Sequence, residues 1–256
     1  MSDATVLLEI EDEVARIVLN RPAAKNSLRP EDMAQLAECL EEAERSGARC
    51  MVLSGAGGAF SAGRDIAGAD PATDDNLGLL RDVIHPVLKK VRDLQVPTIA
   101  MVEGPCLGVG FGLAFACDMV IAAEDAVMGS PFRNIGVILD SGGHYHLRTR
   151  IGVHRAFELI YTGRLIKGAE AAGMGLINRA VPADALNGEV MKLAGHIAAG
   201  PTRAFLISKR ILNEDLGFDA TLEEEAQGQQ DACTSADGVE GFRAFQEKRK
   251  PVFTGK

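Results

Sequence analysis

Residues 102–143 run VEGPCLGVGFGLAFACDMVIAAEDAVMGSPFRNIGVILDSGG. A glycine-rich turn passes into a buried apolar run and a second strand. The segment ends on a lone carboxylate, Asp140, set among apolar residues just ahead of Ser141-Gly142-Gly143. Gly104, Gly108, Gly110 and Gly112 let backbone approach a ligand closely. The pattern predicts a short buried helix from Gly112 onward. The first amides of a helix have no intrahelical partner, and such free amides suit a developing anion.

The rest of the chain limits what this segment can belong to. With 256 residues, 46% of them hydrophobic and 25% charged, the chain can bury a large core. A formal charge of −9 argues against nonspecific nucleic-acid binding, which requires a basic surface. The longest uncharged apolar run, Gly104–Cys117, is 14 residues, short of the ~20 a membrane helix needs. Met1-Ser2-Asp3 leads directly into strand-like sequence, so neither a secretory leader nor a membrane partner is expected. The five cysteines (Cys39, Cys50, Cys106, Cys117, Cys233) are scattered and odd in number, which reads as reduced thiols of a cytoplasmic protein.

Outward from the central segment, Thr5–Ile10 and Val14–Leu19 alternate as a β-hairpin around Glu11-Asp12-Glu13, closed by Asn20-Arg21-Pro22. Glu31–Arg45 has helical spacing with Met33, Leu36, Ala37, Leu40 and Ala43 on one face, introduced by Pro30. Cys50–Ser54 and Pro97–Val102 read as strands. Between them lie a loop with Gly55, Gly57, Gly58, Phe60 and Gly63, and an apolar helical stripe from Leu79 to Leu94 that Pro86 is expected to kink or restart. This alternation predicts βαβ crossovers and a mostly parallel sheet, an α/β fold. From Val153 onward the pattern is helical, with one strand at Ile177–Val181.

Phe60-Ser61-Ala62-Gly63-Arg64-Asp65-Ile66, together with Glu103-Gly104-Pro105-Cys106-Leu107-Gly108-Val109-Gly110 followed by Cys117-Asp118, resembles the two signature segments of the enoyl-CoA hydratase/isomerase, or crotonase, superfamily. The resemblance extends to Asn20-Arg21-Pro22, Tyr161-Thr162-Gly163, the Ala171–Ile177 stretch and the closing Pro251–Lys256. It implies a crotonase-like spiral of ββα units with a helical C-terminal region. Residues 1–198 would form the acyl-CoA-binding core and 199–256 a trimerisation region. It also implies homotrimers or hexamers, no cofactor beyond the CoA thioester as substrate, and an oxyanion hole made by the backbone amides of Ala62 and Val109.

The departures from the family pattern carry the chemistry. Hydratases of the family use two glutamates, and the matching positions here are Gly112 and Phe132, neither of which can move a proton. Asp140 matches instead the aspartate that some relatives use as acid/base or nucleophile. The closing Phe-Thr-Gly-Lys and the Glu240–Phe245 stretch look most like the phenylacetate-pathway isomerase branch. The leading expectation is an isomerase in which Asp140 shuttles a proton beside the thioester. Hydratase-type lyase chemistry, a hydrolase or dehalogenase with Asp140 as nucleophile, and a noncatalytic acyl-CoA-binding protein stay open. From the residues alone, Asp140 could equally be the N-cap of the next helix.

His85 would serve the nucleophilic reading or simply pack on its helix. His144 and His146 point about 200° apart on a helix, so they make poor joint metal ligands, and no metal is expected. Phe132 and Tyr145 could line the acyl pocket. For the CoA moiety the resemblance offers Lys25, Ala62, Arg64 and Ile66, with Phe253 and Lys256 from the tail or a neighbouring subunit. Gly108-Val109-Gly110 lacks the third glycine of a dinucleotide fingerprint.

Overall fold

The computed structural model describes residues 4–70 and 72–256; the Met1–Asp3 start lies outside them. Strands β1 (Val6–Glu11) and β2 (Val14–Leu19) pair antiparallel, with Val6 opposite Leu19. Asp12 and Glu13 both take positive φ in the tight turn, the geometry that matches strand twist in a two-residue hairpin. Helix α1 (Pro30–Arg45) starts with Pro30 in its first turn, where the missing N–H costs nothing. It buries Met33, Leu36, Leu40 and Ala43 as the periodicity predicts, with Ala37 half-buried.

Strands β3 (Cys50–Gly55) and β4 (Thr98–Val102) are apolar on both faces because they lie inside a parallel sheet with both sides covered. The sheet has six strands in the order β1-β2-β3-β4-β6-β9, where β6 is Met119–Ala123 and β9 is Arg179–Val181; every pairing but the hairpin is parallel.

A second ladder runs beside the first. It consists of β5 (Pro105–Leu107), β7 (Val127–Gly129) and β8 (Ile166–Lys167). Isolated parallel bridges continue it from Cys106 to Ser61 and from Arg64 to Leu28. Successive turns of the chain therefore place one strand in the large sheet and one residue or short strand in the small one. The three short strands escape a periodicity reading because two or three residues carry no alternation.

Some helix expectations change. The central helix α4 runs Val109–Ala116, three residues earlier than Gly112, so Val109 is its first residue. The apolar helix does not end at Pro86, where α geometry restarts as expected. Instead α2 (Asn76–Gly78) continues through a π-helical segment, Leu79–Ile84, into α3 (His85–Asp93), and His85 N–H reaches back five residues to Leu80 O. The wider turn accommodates a proline that has no N–H to donate. Lys167, expected in a helix, lies in β8, and α7 begins at Gly168.

The remaining helices are α5 (Gly143–Ile151), α6 (Val153–Thr162), α7 (Gly168–Gly173), α8 (Ala183–Ala198), α9 (Thr202–Asn213), α10 (Phe218–Thr234) and α11 (Ala236–Gln246). Lys209 of α9 pairs with Asp118 at 3.1 Å and donates to Val96 O, joining this helix to the sheet. Among the described residues no helix is long and apolar enough to cross a membrane.

The last residues fold back onto the body. Buried Asp237 accepts from Thr254 N–H, Thr254 Oγ1 and Gly255 N–H, while Arg49 donates to Phe253 O and Gly200 O. Replacing Asp237 with Ala removes the acceptor that anchors Thr254 and Gly255 to the body. Urea unfolding of Asp237→Ala is expected to show a loss of about 2–3 kcal/mol.

Candidate active site

The two glycine-bearing loops meet at the carboxyl ends of β3 and β4. Ser61 N–H donates to Pro105 O and Leu107 N–H to Ser61 O, while Ser61 Oγ donates to Asn26 O; Ser61 is fully buried. Asn26 in turn donates to Ala56 O and Ala59 O and accepts from Arg21 N–H, tying the Asn20–Pro22 turn to the first loop. Arg21 also pairs with Asp65 at 3.0 Å and Asp32 at 3.2 Å. Gly63 has φ +94°, and a Cβ there would lie 2.8 Å from Leu107 O, so only glycine lets the loop settle onto the turn before α4.

This geometry decides which amides are free. Ala62 N–H, expected to line the oxyanion hole, is taken by Lys25 O at 2.8 Å. The correction lies two residues on. In the parallel bridge Leu28↔Arg64, the bonds run from Leu28 N–H to Gly63 O and from Asp65 N–H to Leu28 O, so the peptide N–H of Arg64 faces away from that partner. Among the described residues it has no recorded acceptor. Val109 N–H, at the start of α4, is free for the reason any first-turn amide is. Arg64 and Val109 line one small cleft with Leu28, Leu79, Val83 and Ile84.

Asp140 is not a helix cap. The residue at the cap position of α5 is Gly142, with no side-chain cap bond, and among the described residues the Asp140 carboxylate accepts only from Ser141 Oγ, at 2.8 Å. Burial pushes its pKa up, opposed by the Ser141 hydroxyl and by His85, Arg64 and His144, which lie close enough to act on its charge. Of its apolar neighbours Leu139 is buried, whereas Ile138 is 78% exposed, so the desolvation comes from the fold and not from Ile138.

The turn carrying Asp140 rests on α4 at Gly112. A Cβ on Gly112 would sit 2.4 Å from Ser141 O and 2.6 Å from Ser141 Cβ. No side chain, least of all a glutamate, can leave that position without displacing the aspartate turn. Phe132 opens a short 3-10 turn (Phe132–Ile135), and its ring lies 3.3 Å from where a Cβ of Gly108 would be, covering the approach to α4.

The structure thus gathers Arg64, Val109, Asp140, His85 and Phe132 at one place. Lys25 and Ile66 flank the first loop, Ile66 largely exposed. The Arg64 guanidinium is held by Asn76 Oδ1 at 2.8 Å and Asp74 at 3.5 Å, so it is not a free surface charge. Tyr145 is half-exposed on α5 and meets His146 edge-on. Burial, with Arg150 and Arg92, holds His146 down at about 4, so it is neutral at physiological pH. Phe253 and Lys256 do not join the others within the chain. They lie near Arg49, at the start of β3, a six-residue strand or roughly 20 Å from the loops at its end. Burial pushes Cys50 and Cys117 up to about 12, which leaves no thiolate to act as nucleophile there. Among the described residues no His/Cys/Asp/Glu group could hold a metal ion.

Residues 9–256 match the family model for enoyl-CoA hydratase/isomerase. The chain belongs to the enoyl-CoA hydratase/isomerase family. It is 38% identical to a probable enoyl-CoA hydratase of Rhodobacter capsulatus, with both chains covered completely. It is 36% identical to the 1,2-epoxyphenylacetyl-CoA isomerase of Escherichia coli over 98% of each chain. A solved enoyl-CoA hydratase subunit from Geobacillus kaustophilus superposes with a TM-score of 0.92 at 34% identity, covering 98% of both chains. The crotonase-like fold expected from the sequence is therefore the fold observed.

Among the described residues two unpaired amides, of Arg64 and Val109, thus line one cleft, and the Asp140 carboxylate lies close enough to Arg64 to feel its charge. What sequence reasoning missed was Arg64 as an amide donor. Its side chain drew attention toward phosphate binding, and only the ladder registers reveal which N–H is spent.

Gly112→Ala forces the Ser141 backbone to move. It is expected to destabilise by about 1–3 kcal/mol in thermal melts and to displace Asp140. Gly112→Glu is expected to show no gain of hydration when an α,β-enoyl-CoA is followed at the thioester absorbance.

Proposed function

We propose that this family member is an enoyl-CoA isomerase. The thioester oxygen would sit between Arg64 N–H and Val109 N–H. Asp140 would remove a proton from the carbon beside the thioester, and the electron pair would move onto that oxygen as a dienolate. Asp140, now protonated, would return the proton at a different carbon, leaving the double bond shifted. Each preorganised amide stabilises the oxyanion by roughly 3 kcal/mol.

The observation that carries the reading is the Asp140 carboxylate. It caps nothing, is half-buried, and is carried by a turn whose next residue, Ser141, fills the space that Gly112 leaves open. A base of raised pKa is better matched to carbon acids than an ordinary carboxylate. Phe132, at the second position where hydratases of the family carry a glutamate, also supports isomerisation over hydration. Proximity of His85 to Asp140 favours one competing reading, in which Asp140 attacks covalently and His85 activates water. A labelled acyl-enzyme trapped on Asp140 would establish it.

Self-association through residues 199–256 is part of the proposal. Phe242, Phe245 and Leu212 are exposed on the C-terminal helices, Phe245 by 85%, and Phe242, Phe245 and Phe253 line a wide groove there. Trimers, or trimers paired into hexamers, would cover these side chains. They would also allow Phe253 and Lys256 to reach a neighbour's CoA. Five free cysteines support a reducing, cytoplasmic location.

The test is deuterium incorporation from D₂O into a panel of unsaturated acyl-CoA esters, read by mass spectrometry. Asp140→Asn is expected to lower exchange by about 10²–10⁴-fold. Exchange by the native chain should rise with pH through a midpoint above the ordinary carboxylate value. If Asp140→Asn exchanges as fast as the native chain, the carboxylate is not the base.

A stability consequence follows from the same group. Its folded pKa lies above its unfolded one, so the fold favours the protonated carboxyl, and that contribution is lost as pH rises through the folded pKa. Asp140→Asn is therefore expected to melt higher than the native chain at pH 7. The gap should close as pH falls below about 4, where both states are protonated.

A further inference from the structure

Ser141 is one of six non-glycine residues with positive φ among the described residues, at +53°, and it is 2% exposed. A left-handed conformation is disfavoured for any residue with a Cβ, yet the chain places serine here with glycine at the next two positions. Neighbouring side chains along an extended chain point to opposite faces. At this turn they meet: Ser141 Oγ donates to Asp140 Oδ1 at 2.8 Å. The other side of Ser141 is clamped, because its backbone oxygen and Cβ pack against Gly112 of α4. Among the described residues Asp140 Oδ2 has no recorded donor.

We infer that Ser141 is a positioning residue, its hydroxyl fixing the Asp140 carboxylate so that one oxygen is engaged and the other is left for substrate. The inference rests on Asp140 being the proton-transfer base. It explains why the turn keeps a strained serine where glycine would be easier, and why Gly112 must lack a side chain. The hydroxyl bond is made to the ionised form and favours it, against the burial that disfavours it. The charged or titratable groups facing Asp140 from the elements around it are His85 of α3, Arg64 of the first loop and His144 of α5.

The experiment uses the full chain with carbon-13-labelled aspartate carboxyls, Asp140→Asn assigning the Asp140 signal. Ser141→Ala removes the hydroxyl and keeps the Cβ; Ser141→Gly removes both and relieves the backbone. In both variants the Asp140 titration midpoint is expected to rise by the same amount, about one pH unit. The acid limb of deuterium exchange should move with it, a roughly tenfold loss below the limb with the plateau rate kept. An unmoved midpoint in both variants overturns the inference, and so does a shift in only one of them, since the hydroxyl is absent from both. The titration needs no turnover. If Asp140→Asn retains exchange, the isomerase reading fails while the carboxyl titration still decides whether Ser141 holds the carboxylate.

Discussion

Two backbone hydrogen bonds, Ser61 N–H to Pro105 O and Leu107 N–H to Ser61 O, join the loops on which the rest of the site depends. They set the first signature segment in register with the second. Once that register is fixed, Ala62 N–H is spent on Lys25 O, Gly63 lies against Leu107 O, and Arg64 N–H is turned away from its ladder partner. Nothing in this arrangement uses the strength of a single bond, since a buried backbone bond contributes only about 1 kcal/mol net. What matters is that the alternatives are closed: a slip by one residue would leave several buried N–H and C=O groups unpaired.

The Asp140 turn shows a second constraint, a steric exclusion between position 112 of α4 and the turn before α5. Ser141 packs so tightly on Gly112 that a side chain at position 112 and the Asp140 turn cannot coexist. The position of one glycine and the presence of one aspartate are thus a single structural fact. It links local backbone strain at Ser141, packing at Gly112 and the environment of the carboxylate.

Electrostatics then act on the carboxylate in two directions. Burial makes the charge of Asp140 costly, while the Ser141 hydroxyl and the nearby His85, Arg64 and His144 offset part of that cost. His146, four residues along α5 from Gly142, shows the opposite case: buried against the Phe115 ring near Arg150, it is held neutral and cannot serve as an acid at physiological pH.

Much of this was legible in the chain. The hairpin, α1 with its buried face, the apolar parallel strands and the helical C-terminal part follow from periodicity, because their burial is repeated over several residues. The loops that face the cleft, and Asp140 within its apolar segment, were equally visible, as was the absence of any proton-moving side chain at positions 112 and 132. Tertiary structure alone decided the rest. It placed the start of α4 at Val109, added strands too short to carry a pattern, exchanged Ala62 for Arg64 as the free amide, and put the tail at the far end of β3. The physical reason is common to all four. Sequence determines which residues prefer to be buried or to turn, but a backbone N–H looks the same in every residue. Only the pairing of distant segments determines which of them remains free.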